Sequence, residues 1–476
     1  MKDISDNIKK VLIIFLICFV GLISYITYFQ VMVAPKIVNS QYNARMWAKR
    51  DEVLRGSIFD RNMKVLSKST RVDTETQKRS YEGGEAFAHA LGYVDVRYGI
   101  TGLERRYDKE LSTSSIRDTL LNILKLPGQT KEKYGSNLKT TLDFDIQRKA
   151  YELLGNNKGA VVALNPKTGE ILALISKPSF NPNNLEENWK NINSNKDRPL
   201  LNRATSGMYP PGSTFKVITA ISALENIDDI RNKKIQDKGV LVFNEKESLK
   251  NYNGEVLGNI GLKEAFIHSS NVYFGSLGID LGNSKLKDTA EKFYFNKDIP
   301  ADGVVIENSK FPSFKSYEKG NIAQSAIGQS TVLSTPMEMA LVASTIANDG
   351  TMMKPHIVKG VMDSKNSLVS EVKPQKIDDV TTKENAQIIK NYMREVVAQG
   401  TGGNASVYGI KVAGKTGTAD HKEEGSGAKP HSWFIGFAPY ENPEIALAVI
   451  VEDGGQGGVL AASIASGVIK EALSDD

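Results

Sequence analysis

The chain has 476 residues, 40% of them hydrophobic and 24% charged, enough for a large core and two or three domains. Its 60 Lys and Arg against 55 Asp and Glu leave a net charge of +5, scattered rather than clustered, which argues against nucleic-acid binding. One cysteine, Cys18, excludes an intrachain disulfide framework and a cysteine-based metal site, and the five histidines (His89, His268, His356, His421, His431) show no ligand spacing, so no metal or other cofactor is expected.

Val11 to Phe29 is a run of 19 residues without a charge, long enough to cross a bilayer as a helix. Lys9 and Lys10 precede it, which favours a short cytoplasmic tail (residues 1–10) and a body outside the membrane. The run is long for the apolar part of a cleaved signal, and Met32-Val33-Ala34-Pro35 is a poor cleavage site, so an uncleaved signal anchor over 11–29 is expected. Residues 43–54 have helical character, and Arg55 to Asn62 reads as a strand and a tight turn. Residues 63–135 carry many charges, few apolar runs, and turn points at Gly83, Gly84, Gly92, Gly99 and Gly102. Residues 30–135 therefore read as a small elongated region with little core.

The character changes near Leu138. Residues 139–142 read as a strand entering a helix cap at Asp143, with a helix over Ile146–Leu154. Gly159–Leu164 and Ile171–Ile175 are apolar strands joined by a hairpin turn, and a polar, Asn-rich loop is expected over 180–200. Tyr209-Pro210-Pro211-Gly212 makes a stiff turn before Ser213 and a helix over Val217–Leu224. Helical patterns over Leu262–Ile267 and Val272–Leu277 break at His268-Ser269-Ser270-Asn271. Further helices are expected over Thr331–Ala347 and Asn385–Val397. Strands over Ile410–Ala419, Ser432–Ala438 and Ile445–Val451 have short connections, which implies antiparallel pairing, and a helix over Leu460–Leu473 follows. Two early and three late strands imply one sheet made from both ends of a domain at 136–476, with helices packed on it: an α/β (α+β) architecture.

Ser213 and Lys216 lie three residues apart at a helix start, so the Lys amine can lie beside the Ser hydroxyl. A serine is a poor nucleophile unless a base takes its proton, and a lysine can be that base when burial lowers its pKa. The pattern alone is weak: it recurs at Ser136/Lys139, Ser284/Lys287 and Ser316/Lys319, read as solvated surface. Lys-Thr-Gly occurs twice. Lys167-Thr168-Gly169 falls in a hairpin turn, whereas Lys415-Thr416-Gly417-Thr418 ends an apolar strand, where Gly417 would let a substrate backbone approach closely. Ser269-Ser270-Asn271 could be a helix cap or a polar site. The three in this order are far more specific than any one, being the Ser-x-x-Lys, Ser-x-Asn and Lys-Thr-Gly set of penicillin-binding proteins and class A β-lactamases.

With these motifs the chain resembles the class B penicillin-binding proteins, membrane-anchored D,D-transpeptidases of peptidoglycan synthesis. Arg55-Gly56, Asp60-Arg61-Asn62 and Gly102 to Asp108 resemble the family's N-terminal pedestal motifs. Thr141-Leu142-Asp143, Gln147, Gly328-Gln329 and His431-Ser432-Trp433-Phe434 resemble its transpeptidase landmarks. Departures are Ser330 after Gln329, where a Gly is commoner, a short pedestal, and no added module after the last helix. The resemblance implies the penicillin-binding transpeptidase fold, with a mainly antiparallel central sheet, a pedestal over 30–135 and one transmembrane helix. It implies that Ser213 attacks the bond between two D-Ala residues of a stem peptide and that Lys216 takes its proton. Ser269 would relay a proton to the leaving amine, and Asn271 would orient Lys216 and the substrate amide. Backbone N–H groups of Ser213 and Thr418 would form the oxyanion hole, and Lys415, Thr416 and Thr418 would bind the terminal carboxylate. β-Lactams would stall at the acyl stage, and a membrane glycosyltransferase partner would polymerise the glycan. The motifs leave a D,D-carboxypeptidase or β-lactamase open as a second enzymatic reading, and a β-lactam sensor or wall-synthesis scaffold as a non-enzymatic one.

Overall fold

The computed structural model describes residues 2–33, 47, 50–73, 76–114, 132–245, 247–420 and 429–474. Helix α1 (Lys2–Tyr28), continued by a π turn to Val33, contains the uncharged run. It is long and apolar enough to span a bilayer, and its apolar side chains are exposed. Most of the helix expected over 43–54 lies outside the described residues; Val53–Leu54 is a short strand.

The N-terminal region supplies β1 (Ile58–Phe59), β2 (Val65–Arg71), β3 (Gln77–Tyr81) and the short helix α2 (Gly102–Arg106). Then come β4 (Asn137–Thr140), α3 (Phe144–Leu154) and the hairpin of β5 (Gly159–Leu164) and β6 (Ile171–Lys177). Asp143 caps α3 as expected, its carboxylate accepting from the N–H groups of Asp145 and Ile146. The helical middle runs through α4 (Lys216–Asn226), the strand β7 (Ile235–Asp237), α5 (Leu262–Ile267), α6 (Asn271–Lys292) and α7 (Pro336–Ala347). Helix α7 begins five residues later than the sequence suggests, because Thr335 caps it and Pro336 occupies its first turn. Strands β8 (Val358–Met362) and β9 (Leu368–Glu371) and helix α8 (Lys383–Gln399) lead to β10 (Ala413–Ala419), β11 (His431–Ala438), β12 (Ile445–Val451) and the last helix α9 (Leu460–Ala472).

The central sheet has the order β6-β5-β12-β11-β10, and every pair is antiparallel. It is built from both ends of the catalytic region, as the strand pattern implied. Strands β5 and β12 at its centre are apolar throughout because both faces are covered. Successive residues point to opposite faces. Val161 and Ala163 of β5, with Leu447 and Val449 of β12, pack under α3 and α9. Ala160, Val162, Ala448 and Ile450 face the larger core that holds α4 and α7.

A second sheet has the order β9-β8-β4-β1-β2-β3, so it takes strands from both sides of residue 136. The region before it is not coreless. Leu66, Phe87, Leu91, Leu103 and Leu111 are buried and continuous with the main core. Some of its charge is internal: Arg55 Nε and Arg79 Nε donate to the buried Glu104 carboxylate at 2.7 and 2.8 Å, and Arg55 Nη1 donates to Asp108 at 2.7 Å. The Asn-rich stretch over 180–200 is not all loop either. It holds a helix over Leu185–Ser194, whose Trp189 stacks on Tyr98 at 3.9 Å.

Candidate active site

Gly212 to Phe215 form one 3-10 turn that leads straight into α4. In a 3-10 turn residues i and i+3 eclipse, so Ser213 and Lys216 project from the same side. The turn is held from three directions. Gly212 N–H donates to Gly328 O at 2.9 Å, and a Cβ on Gly328 would lie 2.3 Å from Gly212 O. Trp433 Nε1 donates to Pro210 O at 3.0 Å. Tyr209 Oη and Arg203 Nε both donate to one oxygen of Glu452 at 2.7 Å, which ties the incoming chain to the end of β12.

Lys216 is fully buried. Its Nζ donates to Ser269 O at 2.6 Å and to Asn271 Oδ1 at 2.8 Å, and lies 3.2 Å from Ser269 Oγ. Among the described residues it makes no hydrogen bond to Ser213, which lines the open groove above. The Ser269-Ser270-Asn271 break serves as cap and site at once. Ser270 caps α6, accepting from Tyr273 N–H, while Ser269, with φ at +57°, turns its hydroxyl toward the lysines.

Lys415, also fully buried, donates to Ser269 Oγ at 2.9 Å and to Thr416 O at 3.1 Å. The two lysines therefore share one hydroxyl. Burial pushes Lys415 down to about 7. Burial and the neighbouring Lys415 push Lys216 well below the ordinary ammonium value, with Asp237 opposing them.

Strand β10 is an edge strand, and its free side faces the Ser213 turn. A Cβ on Gly417 would lie 2.9 Å from both Pro211 O and Thr214 Cγ2 and 3.0 Å from Trp433 Cβ. The protein's own turn thus already requires the glycine. Thr418 Oγ1 accepts from Gly457 N–H at 3.3 Å. Ser213, Ser269, Asn271, Thr416 and Thr418 all line one groove, across which Gln456 Nε2 donates to Tyr252 Oη.

The second Lys-Thr-Gly lies in the β5–β6 hairpin turn, far from these residues in role: Lys167 Nζ donates to Asn442 on the surface. Of the other Ser-x-x-Lys copies, Ser136 is buried rather than solvated. Ser330 has φ at +62°, which is why a glycine suits that position better. The Gln329 amide, oriented to satisfy both its ends, pairs with Asp420 O at 3.2 Å and Asp420 N at 3.1 Å.

Three contributors escaped the sequence reading. Thr401, in the glycine-rich run that ends α8, puts its hydroxyl 2.6 Å from Thr416 Oγ1. Asp237 and Asn251 brace the Ser269–Asn271 turn from behind. Among the described residues no group of three or more His, Cys, Asp or Glu side chains is placed to hold a metal ion.

The penicillin-binding protein transpeptidase domain matches residues 159–470, and the dimerisation domain of penicillin-binding protein A matches residues 55–137. The chain is 32% identical to the peptidoglycan D,D-transpeptidase PbpA of Mycolicibacterium smegmatis over 99% of each protein. It is 32% identical to the peptidoglycan D,D-transpeptidase MrdA of Acinetobacter baumannii, over 83% of this chain and 66% of that protein. Its fold superposes on a ceftriaxone acyl-enzyme complex of penicillin-binding protein A from M. tuberculosis with a TM-score of 0.83 and 31% identity, over 90% of this chain and 100% of the other. With the Ser213 turn, the paired lysines and the edge strand in one groove, the chain belongs to the class B penicillin-binding proteins, the serine D,D-transpeptidases of cell-wall synthesis.

Proposed function

We propose that this chain cross-links peptidoglycan stem peptides by a ping-pong acyl transfer through Ser213. The observation that carries this reading is the setting of Lys216. A neutral amine has two N–H donors, which Ser269 O and Asn271 Oδ1 can take, while Ser269 Oγ lies 3.2 Å away on a third side. Burial favours that neutral form, so a lone pair remains to receive a hydroxyl proton. Ser213, one 3-10 turn earlier, supplies that proton, the pair closing to hydrogen-bond distance when substrate fills the groove.

Ser213 Oγ bonds to the carbonyl carbon of the penultimate D-Ala as its proton passes to Lys216 Nζ. The oxyanion lies between the N–H groups of Ser213 and Thr418, each such donor being worth roughly 2.7–4 kcal/mol in a transition state. The C–N bond breaks, and the proton returns from Lys216 by way of Ser269 Oγ to the leaving D-Ala amine. An amine of a neighbouring stem peptide then attacks the ester carbon and gives a proton to Lys216, which passes one to Ser213 Oγ as the ester C–O bond breaks. Asn271 orients Lys216 and the substrate amide. Lys415, Thr416 and Thr418 bind the donor's terminal carboxylate by charge-assisted bonds. Because burial leaves Lys415 at about 7, the arriving carboxylate itself fixes that lysine in its charged form. The α1 helix anchors the enzyme with residues 1–10 inside and the catalytic region outside, beside a membrane glycosyltransferase that polymerises the glycan.

A fluorescent penicillin tests this. The purified protein is expected to form a stable adduct that is absent in Ser213→Ala. Rapid loss of the adduct would turn the reading to a hydrolase, and no adduct in the wild type would refute the acyl-enzyme.

A further inference from the structure

The Ser269–Asn271 turn has two faces. One holds Lys216. Behind the other stands Asp237, at the end of β7, fully buried and without an ion-pair partner among the described residues. Its oxygens accept from Gly239 N–H at 2.8 Å, from Ser270 Oγ at 2.6 Å and from Asn251 Nδ2, which lies 2.8 Å from each. Each of these groups donates to it, so its oxygens are held from three sides.

Asn251 passes the constraint on. Its Oδ1 accepts from the N–H groups of Asn271 at 2.8 Å and Val272 at 3.0 Å, and Lys250 O accepts from Asn271 Nδ2 at 2.9 Å. Asp237 thus grips the turn directly through Ser270 and indirectly through Asn251. The charged groups that act on Lys216 are Lys415 from β10 and Asp237 from β7. The groups of the Ser269 break and of α6 that face it (Ser269, Asn271 and the Phe274 ring at 5.6 Å) are neutral.

We propose that Asp237 is a positioning residue for acyl transfer, clamping the back of the Ser269–Asn271 turn and placing a negative charge behind the base Lys216. This rests on Lys216 being the base for Ser213. Asp237 pulls Lys216 part of the way back from the depression imposed by burial and Lys415. Without that charge Lys216 surrenders its proton at a still lower pH.

The experiment is the pH profile of the second-order acylation rate of the full chain in detergent, read with a fluorescent penicillin. In Asp237→Asn the acid limb is expected to move to lower pH. In Asp237→Glu, which keeps the charge, and in Ser270→Ala, which loses one clamp bond, it should stay near the wild-type position while the plateau falls. A merely structural residue would lower the plateau alone, so an unmoved limb in Asp237→Asn overturns the proposal. Should that variant fail to fold, Asp237→Ser is read in the same way, and failure of both to fold also overturns it, assigning Asp237 to the fold alone. A wild-type profile with no acid limb would instead defeat Lys216 as the base, which keeps the two failures apart.

Discussion

Gly417→Ala tests whether strand β10 is seated directly against the nucleophile turn. The glycine lies in ordinary extended backbone, so alanine brings no conformational strain of its own. Its methyl would nonetheless stand 2.9 Å from Pro211 O and Thr214 Cγ2 and 3.0 Å from Trp433 Cβ. Carbon contacts are comfortable at about 3.5–4.0 Å, so strand and turn must part by roughly 0.5–1 Å. Overpacking of this kind costs about 1–3 kcal/mol. The loss of unfolded-state entropy on replacing glycine returns about 0.4–1 kcal/mol, leaving a modest net destabilisation. Activity should suffer more, because a displacement of about 1 Å in a reacting group can cost on the order of 100-fold. Here it moves Ser213 relative to Thr418, the two residues whose N–H groups converge in the proposed oxyanion hole. Acylation by a fluorescent penicillin should therefore fall about two orders of magnitude with the pH profile unshifted, while thermal melting drops only slightly. Wild-type acylation in a folded Gly417→Ala protein would refute the seating.

Two buried carboxylates make opposite predictions. Glu338 on α7 is fully buried, neither of its oxygens has a hydrogen-bond partner within bonding geometry among the described residues, and burial pushes its carboxyl well above the usual range despite partial relief from Ser309. The folded state therefore favours the protonated acid, a stability present below about 4.5 and lost as pH rises through the folded pKa. Glu338→Gln should raise the melting temperature more at pH 8 than at pH 5, and equal gains at both would refute this. For Glu104, burial alone would push the carboxyl up, but Arg79 and Arg55 outweigh it and hold it below its usual range. Its contribution is present above about 4.5 and fades as pH falls through the folded pKa. Glu104→Gln breaks a buried pair, at a cost of about 3–5 kcal/mol at neutral pH, and calorimetry should find the penalty shrinking in acid. An unchanged melting temperature at neutral pH would count against the internal ion-pair network.

The site was legible to the extent that its chemistry is local. Ser213 and Lys216 share one turn, Ser269 to Asn271 are consecutive, and Lys415 to Thr418 end one strand, so each group is announced by neighbours in sequence. Strands β5 and β12 were equally plain, because burial on both faces demands unbroken apolar runs. What escaped reaches the site across the fold. Asp237 and Asn251 lie in a charged stretch with no periodicity, and only the chain's path brings them under Ser270. Thr401 meets Thr416 because α8 ends beside β10. The Leu185–Ser194 helix was hidden by asparagines with weak helix propensity and is held by tertiary contacts such as that of Trp189 with Tyr98. Gly417 was legible as a place of close approach, but its contact with the Pro211–Thr214 turn was not.

The order of the central sheet also sets a timetable. Strand β12 lies between β5 and β11, so an early strand waits for nearly the last ones before it has a second neighbour. During synthesis Ser213 and Lys216 exist long before β10 and β11 can close the groove beside them. A growing chain holds its nucleophile without a pocket and cannot be poisoned by a β-lactam until it is almost complete. Over that interval the β5–β6 hairpin exposes an apolar strand edge, the kind of surface that invites wrong partners. The enzyme is most open to aggregation while it is least open to its inhibitors.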